Sequence, residues 1–238
     1  MNIIWKGKGT DLIGTHYEQL FPWVNPVEYD KKTNVFTDRT QDAFRVIPGD
    51  YVTTDDGTGI VHIAASFGAD DLYVAKAAGV PTITVVNKKG EKRPIVDPTG
   101  KYTLIADMDQ KFVKKCLNVS LYRQYEGRYV KNAYDPKFNQ GGKYDEAAAQ
   151  KSEDLNIALC MELKQSGKAL RIEKHTHNYP HCWRTDKPIL YYPLDSWFIR
   201  STARKHEMMA LNKTINWKPA NIGTGRFGKW LENLNDWN

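Results

Sequence analysis

Residues 55–71, DDGTGIVHIAASFGADD, constrain this chain more than any other stretch. Gly57 and Gly59 lack a Cβ, so the turn they form can adopt backbone angles closed to other residues and can approach a ligand closely. The apolar, β-branched run Ile60-Val61-His62-Ile63-Ala64 then reads as a strand. A second turn at Phe67-Gly68 leads to Asp70 and Asp71, residue types suited to the opening turn of a helix. Apolar residues follow, and Gly79-Val80-Pro81 ends the run, which predicts a helix over 70–78. His62 and Asp71 therefore come from two successive elements and can flank one pocket. The same pattern also fits a hairpin turn followed by an ordinary helix cap, and a short Gly-x-Gly does not choose between the two.

Around this segment the first hundred residues favour strands. Pro22 and Pro26 break up residues 1–30. Residues 44–47, 51–54 and 82–86 carry β-branched and aromatic side chains and stop at turn formers, including Asn87-Lys88-Lys89-Gly90. Helical spacing begins at residue 109. Phe112, Val113, Cys116 and Leu117 mark the inner face of a helix over 109–126, and Lys111, Lys114 and Lys115 mark the outer face. Residues 131–146, with Asn139-Gln140-Gly141-Gly142, read as a surface insertion. A second helix over 147–165 places Leu155, Ala158, Leu159 and Leu163 inward and ends at Gly167. Residues 170–175 alternate like a strand, and Trp183, Trp197, Trp217, Trp230 and Trp237 gather near the end. The mixture predicts an α+β fold.

The net charge of +6 and the pI near 9.0 permit a polyanionic partner without requiring one. The three cysteines are Cys116, Cys160 and Cys182. They form no CxxC pair, which argues against a disulfide framework and fits a reducing cytoplasm. No run reaches the roughly 18 apolar residues of a membrane span, and the first residues have no signal-peptide core. A soluble cytoplasmic chain with no membrane partner is expected.

The search for a nucleophile or a phosphate loop finds little. Cys116 and Cys160 lie on apolar helix faces and read as core. No Gly-x-Ser-x-Gly elbow and no GxxxxGK[ST] loop occurs. His175, His177, His181 and Cys182 have a suggestive metal spacing, but one cysteine with no partner CxxC suits a closed zinc site poorly, so stem packing is the preferred reading. Asp55, Asp56, His62, Asp70 and Asp71 leave open a divalent-cation hydrolase.

GTGIVHIA followed by FGADD is similar to the editing-site signature of isoleucyl- and valyl-tRNA synthetases, which are class I aminoacyl-tRNA synthetases. An independent likeness lies downstream. Asn178-Tyr179-Pro180-His181-Cys182-Trp183-Arg184 with Asp186-Lys187-Pro188 resembles the segment that returns from this inserted domain in isoleucyl members. Trp197-Phe198-Ile199-Arg200 and GRFGKWLEN at 225–233 continue it. Several long motifs in one order, across roughly residues 10–238, are far more specific than any of them alone.

The resemblance implies a β-barrel-like core with surrounding helices. It assigns 1–167 to an editing domain and 168–238 to return strands that form a stem towards a catalytic Rossmann domain. It implies hydrolysis of valine wrongly esterified to the isoleucine tRNA, by water attack on the ester. Asp71 matches the carboxylate that holds the ammonium of the misattached amino acid. His62 matches the residue near its side chain and the terminal ribose. Gly57, Thr58 and Gly59 match the loop at the adenosine end, and Phe67 and Gly68 belong to the same substrate wall. The implied partners are the acceptor end of the isoleucine tRNA carrying valine and the remainder of the synthetase, in a monomer. ATP and magnesium belong to the parent enzyme's ligation step, and this segment implies no cofactor of its own.

Departures from the pattern matter. Ala65 replaces a usual proline. Thr185 replaces the second cysteine of a Cys-Trp-Arg-Cys that supplies half a zinc site in some relatives. The HIGH and KMSKS signatures are absent. A threonine-rich strand that positions the water has no counterpart in residues 1–43, and Thr53-Thr54 belongs to another strand, so this element is expected upstream. A tRNA-docking module without catalysis therefore stands as the alternative.

Overall fold

The computed structural model describes every residue except 1, 2, 4, 56, 57, 141–143, 175–177 and 186. It divides into two compact units, Met1–Pro193 and Leu194–Asn238.

In the first unit, strands β1 (Val27–Asp30) and β2 (Val35–Asp38) form an antiparallel hairpin with Tyr29 opposite Phe36. The two rings stack at 4.7 Å across the pair. The turn between them is closed by Asp30, whose carboxylate accepts the Lys32 amide at 2.9 Å and the Thr33 hydroxyl at 2.7 Å. Those bonds favour the charged form and hold Asp30 below the ordinary carboxylate range. A second hairpin joins β3 (Val85–Val86) to β4 (Lys92–Arg93) through residues 87–91, with Gly90 at φ +67°. The Asn87 side chain accepts the amides of Lys89 and Glu91, which shapes that turn.

Helix α2 (Gln110–Cys116) starts at Asp109, whose side chain accepts the Phe112 amide at 2.8 Å. It buries Phe112, Val113 and Cys116 and leaves its lysines outside, as its spacing predicts. The helix expected over 109–126 is nevertheless broken. Leu117 is extended and bridges Val24, the Asn25 amide bonds to the Cys116 carbonyl at 2.9 Å, and the Asn118 amide to the Trp23 carbonyl at 2.8 Å. Asn118 then caps a short second helix, α3 (Val119–Tyr122). Pairing with residues 23–25 thus replaces helical bonds that local spacing alone would have continued. Trp23 packs on Tyr125 (4.4 Å) and Tyr102 (5.6 Å), and buried Tyr122 donates its hydroxyl to the Thr103 carbonyl at 2.7 Å.

The helix expected over 147–165 is also two: α4 (Glu146–Lys151) and α5 (Leu155–Gln165). Asp154 caps the second, and its side chain accepts the Asn156 amide at 2.8 Å. Residues 131–140 are not the surface insertion that their polarity suggests. Ala133 and Phe138 are buried, and Asn132 and Asn139 donate to the carbonyls of Ala149, Ala133 and Asp135. Polar residues there serve the backbone of a packed turn.

Mixed helix and sheet is therefore observed, but no closed barrel exists among the described residues. Four strands form two separate two-stranded sheets. Residues 44–47 contribute only a bridge between Arg45 and His16; residues 51–54, 60–64 and 170–174 join no ladder. Residues 44–47 lie against 14–17, where Val46 donates to Thr15 and the Gly14 and Tyr17 amides donate to the Val46 and Phe44 carbonyls. A strand needs a neighbour to accept its backbone bonds, and the other three segments have no ladder partner among the described residues.

The second unit is helical. Helix α6 (Lys205–Asn212) follows a 3-10 turn at Ser201–Arg204; α7 (Asn221–Thr224) and α8 (Arg226–Glu232) complete it. Ile199 and Trp237 exchange two backbone bonds and close its ends together. Its centre joins buried Leu231 to a polar lock: buried Asn212 donates to the Gly223 carbonyl at 2.8 Å and accepts the Trp217 indole N–H at 2.9 Å. A Cβ on Gly228 would stand 2.3 Å from the Gly223 carbonyl oxygen, so only glycine permits this approach of α8 to α7.

Candidate functional site

Helix α1 (Ala69–Ala77) falls where the sequence places it. Its far end is held by the Arg45 guanidinium, which donates to the Ala78 carbonyl and puts a cation at the negative pole of the helix. Its near end carries the candidate site. Gly68 is the N-cap and offers no side chain to the open amides. Asp71 reaches backwards instead, and its Oδ2 accepts the Ala64 amide at 2.9 Å. The amides of Phe67 and Gly68 donate to the Ala64 carbonyl at 2.8 and 3.0 Å. Ala64 is thus tied to the start of the helix through both its N–H and its C=O. A Cβ on Gly68 would lie 2.7 Å from Asp71 Oδ2, so the missing side chain leaves the space that the carboxylate occupies. The Ser66 hydroxyl donates to the Ile83 carbonyl at 3.0 Å and fixes the turn to the segment before β3. Phe67 meets Tyr192 edge to face at 6.2 Å.

Tyr51 joins this group, although nothing in the sequence pattern points to it. Tyr51 is exposed, but local desolvation of its hydroxyl, followed by the nearby Asp71 and Asp70 carboxylates, pushes that hydroxyl above the ordinary tyrosine range. Its ring lies over Gly49, where an added Cβ would stand 3.3 Å from the ring edge. The interaction crosses from residue 51 to residue 71, and no local spacing signals it.

The remaining expected residues lie on the segment leading into Ala64. His62 is exposed, as are Ile60 at 65% and Val61 at 49%. Thr58 closes a small turn by accepting the Ile60 amide at 3.3 Å, and Gly59 sits at φ +73°. Gly57 lies outside the described residues. Among the described residues no hydrogen bond joins His62 or Thr58 to Asp71, so the structure groups Asp71, Gly68 and Phe67 with Tyr51 and reaches His62 through Ala64. Asp70 is exposed.

Asp71 makes no ion pair among the described residues; its bond to Ala64 is to a neutral amide. Such a carboxylate can still attract a ligand cation. Among the described residues no group of three or more His, Cys, Asp or Glu stands close enough to share a metal ion, while Asp56, His175 and His177 lie outside that set. His181 Nδ1 sits 2.7 Å from the Tyr179 carbonyl. Bonds from Thr185 and from the 184–185 backbone hold the Cys182 thiol below the ordinary cysteine range.

Residues 15–238 match the profile of the family described as tRNA synthetases class I (I, L, M and V). The chain is 63% identical over 236 residues to an isoleucine–tRNA ligase of Bacteroides thetaiotaomicron, covering 99% of the chain and 20% of that protein. Identity is 57% with the isoleucine–tRNA ligase of Porphyromonas gingivalis over 98% of the chain and 18% of the relative, and 45% with that of Cytophaga hutchinsonii over 99% and 19%. The chain spans about a fifth of the length of these curated relatives. Identity of 45–63% over 98–99% of the chain, together with the profile match over residues 15–238, leads to one conclusion: the chain belongs to the class I tRNA synthetase family of the I, L, M and V group.

Proposed function

We propose that this chain is the part of an isoleucine–tRNA ligase that forms one wall of its editing site, where valine wrongly esterified to the isoleucine tRNA is hydrolysed. One observation carries the reading: Asp71, a carboxylate with no cationic partner among the described residues, is held at the mouth of a helix by the very segment that bears His62.

The need for such a site follows from chemistry. Valine is one methylene smaller than isoleucine, and a pocket rejects such a difference by only about 1–3 kcal/mol, a limit for which isoleucine enzymes are themselves the standard case. In the proposed reaction a water attacks the ester carbonyl. The tetrahedral intermediate collapses as the bond to the ribose oxygen breaks and a proton from the attacking water passes to that oxygen, so that valine and tRNA with a free ribose hydroxyl are released. Asp71 holds the valine ammonium, His62 occupies the space that isoleucine's extra methylene needs, and Thr58, Gly59 and Gly57 border the adenosine. Phe67 and Gly68 complete the wall. Positioning and charge placement supply the rate. Residues 1–167 act as the editing domain and 168–238 as the return stem. ATP and magnesium serve the ligation step. The chain has neither a phosphate loop nor the HIGH and KMSKS motifs to hold them, so no step here is routed through them. The partners are the valine-bearing acceptor end and the rest of a monomeric cytoplasmic enzyme.

Asp71→Ala in the full-length ligase is the test. Val-tRNA deacylation should fall by at least 100-fold with isoleucine activation nearly unchanged, because an ammonium left unpaired costs several kcal/mol. Unchanged deacylation would remove Asp71 from the site. Residues 1–43 hold no threonine-rich counterpart of the water-positioning strand, which favours a second reading for the isolated chain, as a docking module for tRNA without turnover. Single-turnover deacylation by the 238-residue chain, with and without EDTA, separates the two and also tests the cation-dependent alternative built on Asp55, Asp56, His62, Asp70 and Asp71.

A further inference from the structure

The segment that leads into the second unit leaves one residue turned inward in the first. Over residues 191–200 every residue is exposed except Tyr192, which is half-buried. Tyr191 before it is 60% exposed, and Leu194 after it 75%. Such a residue is held by what it meets, and Tyr192 meets Phe67. The two rings stand edge to face, with centroids 6.2 Å apart and planes at 62°. Among the described residues no other ring pairs with Phe67.

Both sides of this contact have anchors of their own. On one side, the Phe67 amide donates to the Ala64 carbonyl at 2.8 Å, and the amide of that same Ala64 donates to Asp71. On the other side, the Tyr134 and Tyr179 hydroxyls both donate to the Ile189 carbonyl at 3.0 Å, and the Ile189 amide donates to the Pro180 carbonyl at 3.1 Å. Tyr192 therefore follows a fixed point by three residues. The contacts also close a circuit. The Ser66 hydroxyl reaches Ile83, and Val85 pairs with Arg93 across the β3–β4 hairpin. Arg93 and Asp97 in turn lie near enough to act on the Tyr192 hydroxyl, which burial raises above the ordinary tyrosine range.

We propose that Tyr192 is a positioning residue of the Asp71 site: its ring backs Phe67 and so holds the 64–68 turn, and with it Asp71, in register. The proposal rests on the editing reading for its effect on turnover. It extends the site from residues 51–71 into the return segment. A ring pair of this geometry attracts beyond the area it buries, and loss of one ring leaves a space into which the other can turn. The hydroxyl is not what holds Phe67, so phenylalanine at 192 suffices.

The experiment uses the full-length ligase with Tyr192→Ala, Tyr192→Phe, Phe67→Ala and the double variant Tyr192→Ala/Phe67→Ala. Single-turnover Val-tRNA deacylation is measured at saturation, with tRNA affinity and isoleucine activation alongside. Tyr192→Ala should lower the deacylation rate about 3- to 10-fold, the scale of one ring pair or of a small shift in a positioned group. Affinity and activation should stay as in the parent, and Tyr192→Phe should deacylate as the parent does. The double variant should lose no more than Phe67→Ala alone, because both changes remove the same contact. Hydrogen exchange gives a readout independent of turnover. The Phe67 and Gly68 amides, which bond to Ala64, should exchange faster in Tyr192→Ala than in Tyr192→Phe, while the Val113 amide within α2 stays slow in both. Should Tyr192→Ala lose the Val113 protection too, Tyr192→Leu, which keeps apolar bulk, replaces it with the same expectations. Unchanged exchange at Phe67 and Gly68 would overturn the proposal, as would unchanged deacylation in an active ligase. So would losses that multiply in the double variant. A Tyr192→Phe that falls with Tyr192→Ala would also overturn it and assign the effect to the hydroxyl beside Arg93 and Asp97. Absence of deacylation in the parent would sink the editing reading, while the exchange pattern would still decide whether Tyr192 holds the turn.

Discussion

At Gly68 the space of one methyl group decides where a carboxylate stands. Gly68→Ala would place carbon 2.7 Å from Asp71 Oδ2 and push that side chain off the Ala64 amide. In the full-length ligase this substitution should lower Val-tRNA deacylation about 10- to 100-fold, since displacement of a positioning group by about 1 Å costs on that order. Asp71→Asn provides the contrast. It keeps an oxygen for the Ala64 amide but lacks the charge, so hydrogen exchange at Ala64 should stay slow while deacylation is lost; in Asp71→Ala both should go. Equal exchange rates in the two variants would mean that Asp71 does not order the 62–64 segment. His62→Ala should have a different signature, with correctly charged Ile-tRNA beginning to be hydrolysed. If the variant spares Ile-tRNA as fully as the parent, His62 is not the steric gate. Asp71 is legible in the sequence because a helix opening is a local event. Tyr51 is not, because it meets Asp71 only after the chain folds back, and a lone tyrosine after Asp50 carries no spacing that would betray it.

Elements show the same divide. Helix α1 is written in contiguous signals, a glycine turn at its start and Gly79 at its end, and its observed bounds lie within a residue of those expected. The break between α2 and α3 is written elsewhere, in residues 23–25, whose backbone captures Cys116 and Asn118. Spacing continues through Leu117 because Leu117 is buried although its backbone is extended, and an apolar residue there fits the helical pattern as well. Asn118→Ala removes the cap that restarts the helix, and urea unfolding should show a loss of about 1 kcal/mol. A loss near zero would mean that the bond to Trp23 alone sets the break. The β1–β2 hairpin escapes a reading of the sequence although Val27, Tyr29, Val35 and Phe36 are good strand residues. Its four-residue turn, Lys31-Lys32-Thr33-Asn34, contains no Gly or Pro, and the signal lies in the Asp30 side chain that closes it. Conversely, residues 51–54 and 60–64 have strand composition and no pairing partner, since composition cannot supply a neighbouring strand.

Across the whole molecule, burial of ionisable groups sets a limit at high pH. Burial pushes the Tyr102 hydroxyl up to about 12 and the Cys116 thiol up to about 11, from 10.0 and 9.0, and also raises Tyr122. Each group is neutral in the fold and ionises more readily once unfolded. Their contribution is therefore complete below about pH 9 and is lost as pH climbs towards 11–12. Urea midpoints should be flat from pH 7 to 9 and then fall. A midpoint that holds to pH 11 would mean that these groups are not neutral in the folded core. The second unit answers to different forces. Its centre is the Asn212, Trp217 and Gly223 bond network, while Trp197 (96% exposed), Trp230 and Trp237 face outwards. The inner lock consumes the Trp217 indole, and Phe227 links that ring to Trp230 (5.1 and 5.7 Å). Trp237 ties the ends of the unit through its backbone, which leaves the Trp197 ring the most exposed of the four. Whatever covers those rings meets a surface already set in shape. Little conformational freedom is given up there, and association is a rigid fitting rather than a folding event.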